Sequence, residues 1–133
     1  MIEPAVKRVI GFVDGQNLFY AAKHAFGHVG REEGIDVRIA PGIVRLARSR
    51  EYDVALVFSQ DQDLSEVADE IRAIAREQGR WIKTASAYPS SPASTNRRGI
   101  NETDWIRLDR ATFDLALDPR GYRPKKGSGD PTP

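Results

Sequence analysis

Two carboxylates two residues apart, Asp61 and Asp63, stand in the stretch Phe58-Ser59-Gln60-Asp61-Gln62-Asp63-Leu64-Ser65, where an apolar run ends and an amphipathic segment begins. Asp14 occupies the same kind of place, at the end of Val9-Ile10-Gly11-Phe12-Val13, with Asn17 three residues further on. Carboxylates so placed either cap the helix that follows or bind a cation. Asp63, with Glu66 three residues later, fits a capping-box-like helix start and fits metal binding equally well. Asp61 adds a like charge beside it that capping does not explain and that a cation or a set of donors would compensate, so it reads as a metal ligand. Asn17 falls in the first turn of a helix, where its amide can bind a phosphate, orient a water or hydrogen-bond Asp14. An ordinary helix-start hydrogen bond is the alternative.

The elements that must position these groups follow from periodicity. Val54-Ala55-Leu56-Val57-Phe58 is continuously apolar, as a strand buried on both faces of a parallel sheet is. Leu64, Val67, Ala68, Ile71, Ile74 and Ala75 then form one helical stripe. Val9 to Val13 reads as a strand and Gln16 to Lys23 as a helix, so Asp14 and Asp61 both lie where ligands bind in open α/β sheets, at the carboxyl ends of strands. Two strands of one parallel sheet would bring them together. Ile35 to Ala40 has two readings: an alternating strand ended by Pro41-Gly42, or a helix from Asp36 to about Ser49 that Pro41 would kink at about 3 kcal/mol. On either reading the ordinary roles of Asp36 are capping and solvation. Gln78-Gly79 closes the central helix, and Arg80 to Ala85 reads as a third strand, completing a βαβ pattern. Residues 88 to 99 read as a loop rich in proline and serine that ends in Arg97 and Arg98, either a linker or a mobile substrate-contacting loop. A fourth strand is expected over 101 to 108 and a short helix over 111 to 117.

Composition bounds the rest. At 133 residues and 40% apolar content, the chain is read as one α/β domain over residues 1 to 118. The basic tail from 119 to 133, rich in Gly and Pro, is expected to be disordered. A net charge of +1 hides a split. Arg97, Arg98, Arg120, Arg123, Lys125 and Lys126 gather toward the C-terminus, and that arrangement suits a polyanion held near metal ions, although a solvated face is the commoner meaning of a charge run. Without cysteine there is no disulfide framework or thiolate zinc site, and two histidines are too few for a His-rich one. A reducing cytoplasm fits. The apolar runs are strand-sized, so neither a signal peptide nor a membrane span is indicated.

Taken in order, Phe12-Val13-Asp14-Gly15-Gln16-Asn17, Gly34-Ile35-Asp36-Val37 and Ser59-Gln60-Asp61-Gln62-Asp63 resemble the NYN domain family of PIN-like ribonucleases. The resemblance implies a Rossmann-like fold, a small and mainly parallel sheet flanked by helices, and Mg²⁺- or Mn²⁺-dependent hydrolysis of RNA phosphodiester bonds. It implies that Asp14, Asp36, Asp61 and Asp63 are the metal-binding catalytic carboxylates with Asn17 as a polar partner, and it favours the helical reading of 36 to 49. Hard divalent cations prefer carboxylate oxygens, and one or two of them would activate the attacking water and stabilise the leaving oxygen. Ser59 is placed to position a water or a phosphate, Arg97 and Arg98 to hold the RNA backbone, and Asp104 is a further candidate carboxylate. The family carries extra strand and helix units between its first two motifs. The interval from Asn17 to Asp36 has no room for a βαβ unit of about 30 residues, so the chain reads as an internally shortened member. The missing units would flank the first strand, so Val9 to Val13 is expected at an exposed edge, open to self-association as a homo-oligomer. A catalytically inactive RNA- or protein-binding module of the same fold is the alternative function.

Overall fold

The computed structural model describes residues 1–27 and 39–117. Four short runs become parallel strands, β1 (Val9–Val13), β2 (Val54–Phe58), β3 (Lys83–Pro89) and β4 (Asp104–Leu108), hydrogen-bonded in that order into one sheet. Their registers align the carboxyl ends: Val13 pairs with Phe58, Phe58 with Ala87, and Ala87 with Ile106. Four helices accompany the sheet, α1 (Gly15–Phe26), α2 (Ala40–Arg48), α3 (Ser65–Gln78) and α4 (Arg110–Leu117). The result is an α/β architecture compatible with a Rossmann-like fold.

The core follows from the two periodicities. Phe12 of β1 and Ala55 and Val57 of β2 point to one face, as alternate strand residues must. There they meet Ile43 and Ala47 of α2 and Ile71 and Ile74 of α3, with Tyr52 and Ile100 completing the cluster. Tyr52 is fully buried, its hydroxyl donates to the Ile43 carbonyl at 2.7 Å, and burial pushes its phenol upward from the ordinary value. Its ring meets Phe12 edge-on at 5.8 Å. Gly79, at φ 62°, takes the left-handed conformation that ends α3. α1 buries Leu18, Ala22 and Ala25 and packs against β3.

The structure revises several expectations. Pro41 does not kink α2; it lies in the first turn, where a missing N–H costs no intrahelical bond. The helix starts at Ala40 with Ile39 before it, rather than at Asp36, and Asp36 itself lies outside the described residues, as does the tail from 119. β3 begins three residues later than expected and takes in Tyr88 and Pro89 from the anticipated loop. Its run of small residues, Ala85-Ser86-Ala87, is buried, which apolar periodicity does not reveal.

At the amino end of the sheet Asp53 is 8% exposed and fully engaged. The Arg8 guanidinium grips both its oxygens at 3.2 and 3.1 Å, and the Arg8 backbone N–H donates at 2.8 Å. Arg80 stands at 3.5 Å and anchors the Tyr52 and Ala47 carbonyls. Hydrogen bonds from the Arg8 side chain, then from its backbone, hold the Asp53 carboxyl below the usual carboxylate range. β1 forms one edge of the sheet, with Val9 56% and Val13 41% exposed. Among the described residues no helix is long and apolar enough to cross a membrane.

Candidate functional site

The carboxyl ends of β1 and β2 hold the site. Asp14 directly follows β1, and its backbone N–H donates to the Phe58 carbonyl at 3.2 Å, so the two strand ends stay in register beyond the last paired residues. Asp14 is also the residue before α1, yet its carboxylate does not cap that helix. It accepts instead from the Ser59 hydroxyl at 2.9 Å, across the strand boundary. Ser59, fully buried, accepts in turn from the Asp61 N–H at 3.0 Å. One hydroxyl therefore connects the two acidic loops: it orients the Asp14 carboxylate and fixes the backbone from which Asp61 projects.

The capping role that the sequence offers Asp63 falls instead to Asp61, and at a different turn. A short 3-10 turn, Gln62–Leu64, intervenes between β2 and α3 and moves the helix start to Ser65. Asp61 caps this turn, its Oδ1 accepting from the Asp63 N–H at 3.0 Å. Asp63 lies within the turn, exposed, and does not cap α3. The second Asp61 oxygen and the second Asp14 oxygen have no hydrogen-bond partner among the described residues. Neither these two residues nor Asp63 belongs to an ion pair among the described residues, in contrast to Asp53. Half-buried like-charged groups left without a cation are costly, and metal binding is one way to relieve that cost.

Asn17 neither contacts Asp14 nor makes an ordinary helix-start bond. Its Oδ1 accepts from the Gln60 N–H at 2.9 Å, tying α1 to the loop after β2. A backbone N–H can meet only the oxygen of the amide, so the Asn17 Nδ2 is left as a donor. Arg97 and Arg98 are exposed, the first making contacts within its own loop and the second reaching past it toward β4. Arg97 holds the Ser94 and Pro92 carbonyls at 3.1 and 2.8 Å, and Arg98 reaches Asn101 at 2.8 Å and lies over the Trp105 ring. Asp104 begins β4, at the opposite end of the sheet from Asp14, and pairs with Lys83 at 2.8 Å.

Of the expected residues the structure thus ties the Asp14 carboxylate and the Asp61 backbone to one hydroxyl and leaves Asp63 two residues further on in the turn. Among the described residues no three acids or histidines converge as a metal-holding group. Mg²⁺ is commonly bound by one or two carboxylates together with substrate phosphates and waters rather than by an all-protein cage, so three converging protein ligands are not a requirement for it.

Beside this pair lies a cleft of about 180 Å³ lined by Asn17, Tyr20, Ala21, Gln60, Ser94, Thr95 and Asn96. The sequence singles out Asn17 among these, and marks Ser94, Thr95 and Asn96 only as part of a loop read as a linker or a substrate-contacting segment. The others carry no motif signal; only the fold places the 88–99 loop against α1, through the Ser91 hydroxyl on the Ala25 carbonyl. No family model matches the chain, and no curated protein or solved structure matches it either.

Proposed function

We propose that this chain is a metal-dependent ribonuclease domain of the PIN-like, NYN type, hydrolysing RNA phosphodiester bonds at the carboxyl ends of β1 and β2. The observation that carries the reading is the Asp14 carboxylate, placed to cap α1 but turned onto Ser59, which also holds Asp61. A structural aspartate at a helix start would satisfy its own helix. The three sequence motifs and the strand-end position of both acids support the same conclusion.

Asp14 and Asp61 would hold Mg²⁺ or Mn²⁺, with Asp63 and Asp36 as further carboxylates of the site. When bound, the cation supplies an activated water and neutralises charge on the leaving oxygen. The chain's own residues do the positioning. Ser59 fixes the orientation of one carboxylate and the backbone of the other. Asn17, anchored through Oδ1, keeps its Nδ2 as a donor for the RNA. Arg97 and Arg98, exposed at the mouth of the loop, supply positive charge for the RNA backbone. A cytoplasmic setting suits a chain with no cysteine and an RNA substrate.

A mixed single-stranded RNA incubated with Mg²⁺ or Mn²⁺ tests the assignment, with Asp14→Asn as the control. Metal-dependent cleavage that falls at least about 100-fold in the variant is expected, since even groups that merely support metal ligands are worth 10–100-fold. Because no three acidic groups converge among the described residues, an inactive RNA-binding module of the same fold is the second reading. Its signature is tight, metal-independent binding that weakens steeply with salt, survives Asp61→Asn and is accompanied by no cleavage.

Self-association through the sheet edge belongs to the same proposal. β1 carries no charge or proline within the strand to blunt its free edge, and Val9 and Val13 are exposed beside it. A second copy pairing edge to edge would cover both. Light scattering should show mass rising with concentration and Val9→Lys should suppress the rise; a strictly monomeric chain at high concentration contradicts it.

A further inference from the structure

We infer that the cleft beside the acidic pair is a nucleobase pocket, seating one base of a single RNA strand whose neighbouring phosphodiester lies at Asp14 and Asp61; this rests on the ribonuclease reading. The key group is the Gln60 carboxamide. Gln60 is 6% exposed, and its Nε2 donates to the Asn96 and Arg98 carbonyls at 2.9 and 3.0 Å. Both partners are carbonyl oxygens, so the amide orientation is fixed by chemistry and both of its N–H groups are used. The backbone is committed too: its N–H goes to Asn17 and its carbonyl accepts from Gln62 Nε2 at 3.2 Å. Only Oε1 remains, a buried acceptor with no donor among the described residues, on a residue that lines the cleft. A buried acceptor left without a partner is unfavourable, and such a group in a folded protein points to a ligand or a water.

The lining says what kind of ligand. Among the described residues no charged side chain borders the cleft, and the unpartnered carboxamide oxygen of a lining residue repels phosphate oxygens, so the phosphates belong outside. An acceptor at Gln60 Oε1 with a donor at Asn17 Nδ2 complements the adjacent N–H and acceptor that every base shows on its pairing edge. Tyr20, half exposed on α1, lines the cleft with an aromatic ring of the kind on which bases stack. At about 180 Å³ the space far exceeds the roughly 30 Å³ share of a single water, so one solvent molecule does not fill it. Gln60 lies between Ser59 and Asp61 in the chain, so a base held there sits one residue from both groups of the acidic site.

The test compares two labelled strands by fluorescence anisotropy, without divalent cations: one of abasic spacers throughout, the other identical but for a single base. Cleavage of ordinary RNA with Mg²⁺ is followed in parallel. A single base should tighten binding about 10-fold, within the range that stacking of one base supplies. Gln60→Leu should erase the gain but also cuts the ties to the loop; Tyr20→Ala, which leaves those ties intact, should reduce it to less than about threefold. Equal affinity for the two strands, or a gain unchanged in Tyr20→Ala, overturns the pocket while leaving the nuclease reading intact if cleavage persists. No binding and no cleavage of any RNA overturns both.

Discussion

The two ends of the sheet each place aspartate at the boundary of β2, and they treat it in opposite ways. At the amino end, Asp53 is saturated: two Arg8 side-chain bonds, one Arg8 backbone bond and a second guanidinium nearby. At the carboxyl end, Asp14 and Asp61 receive one hydroxyl and one N–H between them and no cation among the described residues. A carboxylate that serves the fold is neutralised by the fold, since an unpaired buried charge costs several kcal/mol. On the proposed nuclease reading, the oxygens left free on Asp14 and Asp61 are kept for a ligand.

This contrast can be broken by mutation. Ser59→Ala removes the hydroxyl shared by the two acidic loops and should lower metal-dependent cleavage by about 10–100-fold, as loss of a group orienting a metal ligand does. Its effect on the melting temperature should be small beside that of Asp53→Asn. The latter leaves Arg8 and Arg80 without their anion and should cost about 2 kcal/mol, the range of hydrogen bonds to a charged group rather than of a fully buried pair, because the Arg8 side chain is exposed. Thermal denaturation should then show a melting temperature lower by about 7 °C, with cleavage per folded molecule unchanged. Loss of cleavage in Asp53→Asn with stability intact would invert the assignment of the two ends.

Acid provides a gentler probe of the same difference. The Asp53 carboxyl titrates lower in the folded chain than in the unfolded one, where an aspartate ionises near about pH 3.9. The unfolded state therefore takes up its proton first as pH falls. The contribution of Asp53 is fully present above about pH 5 and is lost as the pH falls through the folded value. Melting temperature should fall more steeply below about pH 4 in the parent chain than in Asp53→Asn. Equal slopes would show that this carboxylate contributes no linkage.

How much of this was legible in the sequence depended on whether side-chain pattern or three-dimensional placement decided the matter. β1 and β2 were readable because uninterrupted apolar runs of five residues, bounded by Asp14 and by Ser59, leave few alternatives. β3 was not readable at its true bounds, because Ser86 and the alanines around it are buried by the neighbouring strand, the Ile100 N–H and Thr103, not by their own hydrophobicity. Pro41 illustrates a local ambiguity: the residue breaks a helix interior and opens a helix equally well, and the start of α2 decides which. The strand-end position of Asp14 and Asp61 was legible. The Ser59 hydroxyl between them was not, because a bond spanning 45 residues leaves no periodic trace. Gln60 was invisible for the same reason: its free oxygen matters only once the 88–99 loop has closed over it and taken both amide hydrogens.

The most direct test of the contrast is the melting temperature of the chain with and without Mn²⁺, for the parent, Asp61→Asn and Asp53→Asn. The side-chain amide introduced by Asp61→Asn would keep an oxygen for the Asp63 N–H while losing the charge, so the turn can persist in that variant. A ligand that binds only the folded state stabilises it by mass action, by about 2.7 kcal/mol at one hundred times its dissociation constant. A rise of several degrees is expected for the parent and for Asp53→Asn, and none for Asp61→Asn. No rise in the parent, or an equal rise in all three, would contradict the division of labour between the two ends of the sheet.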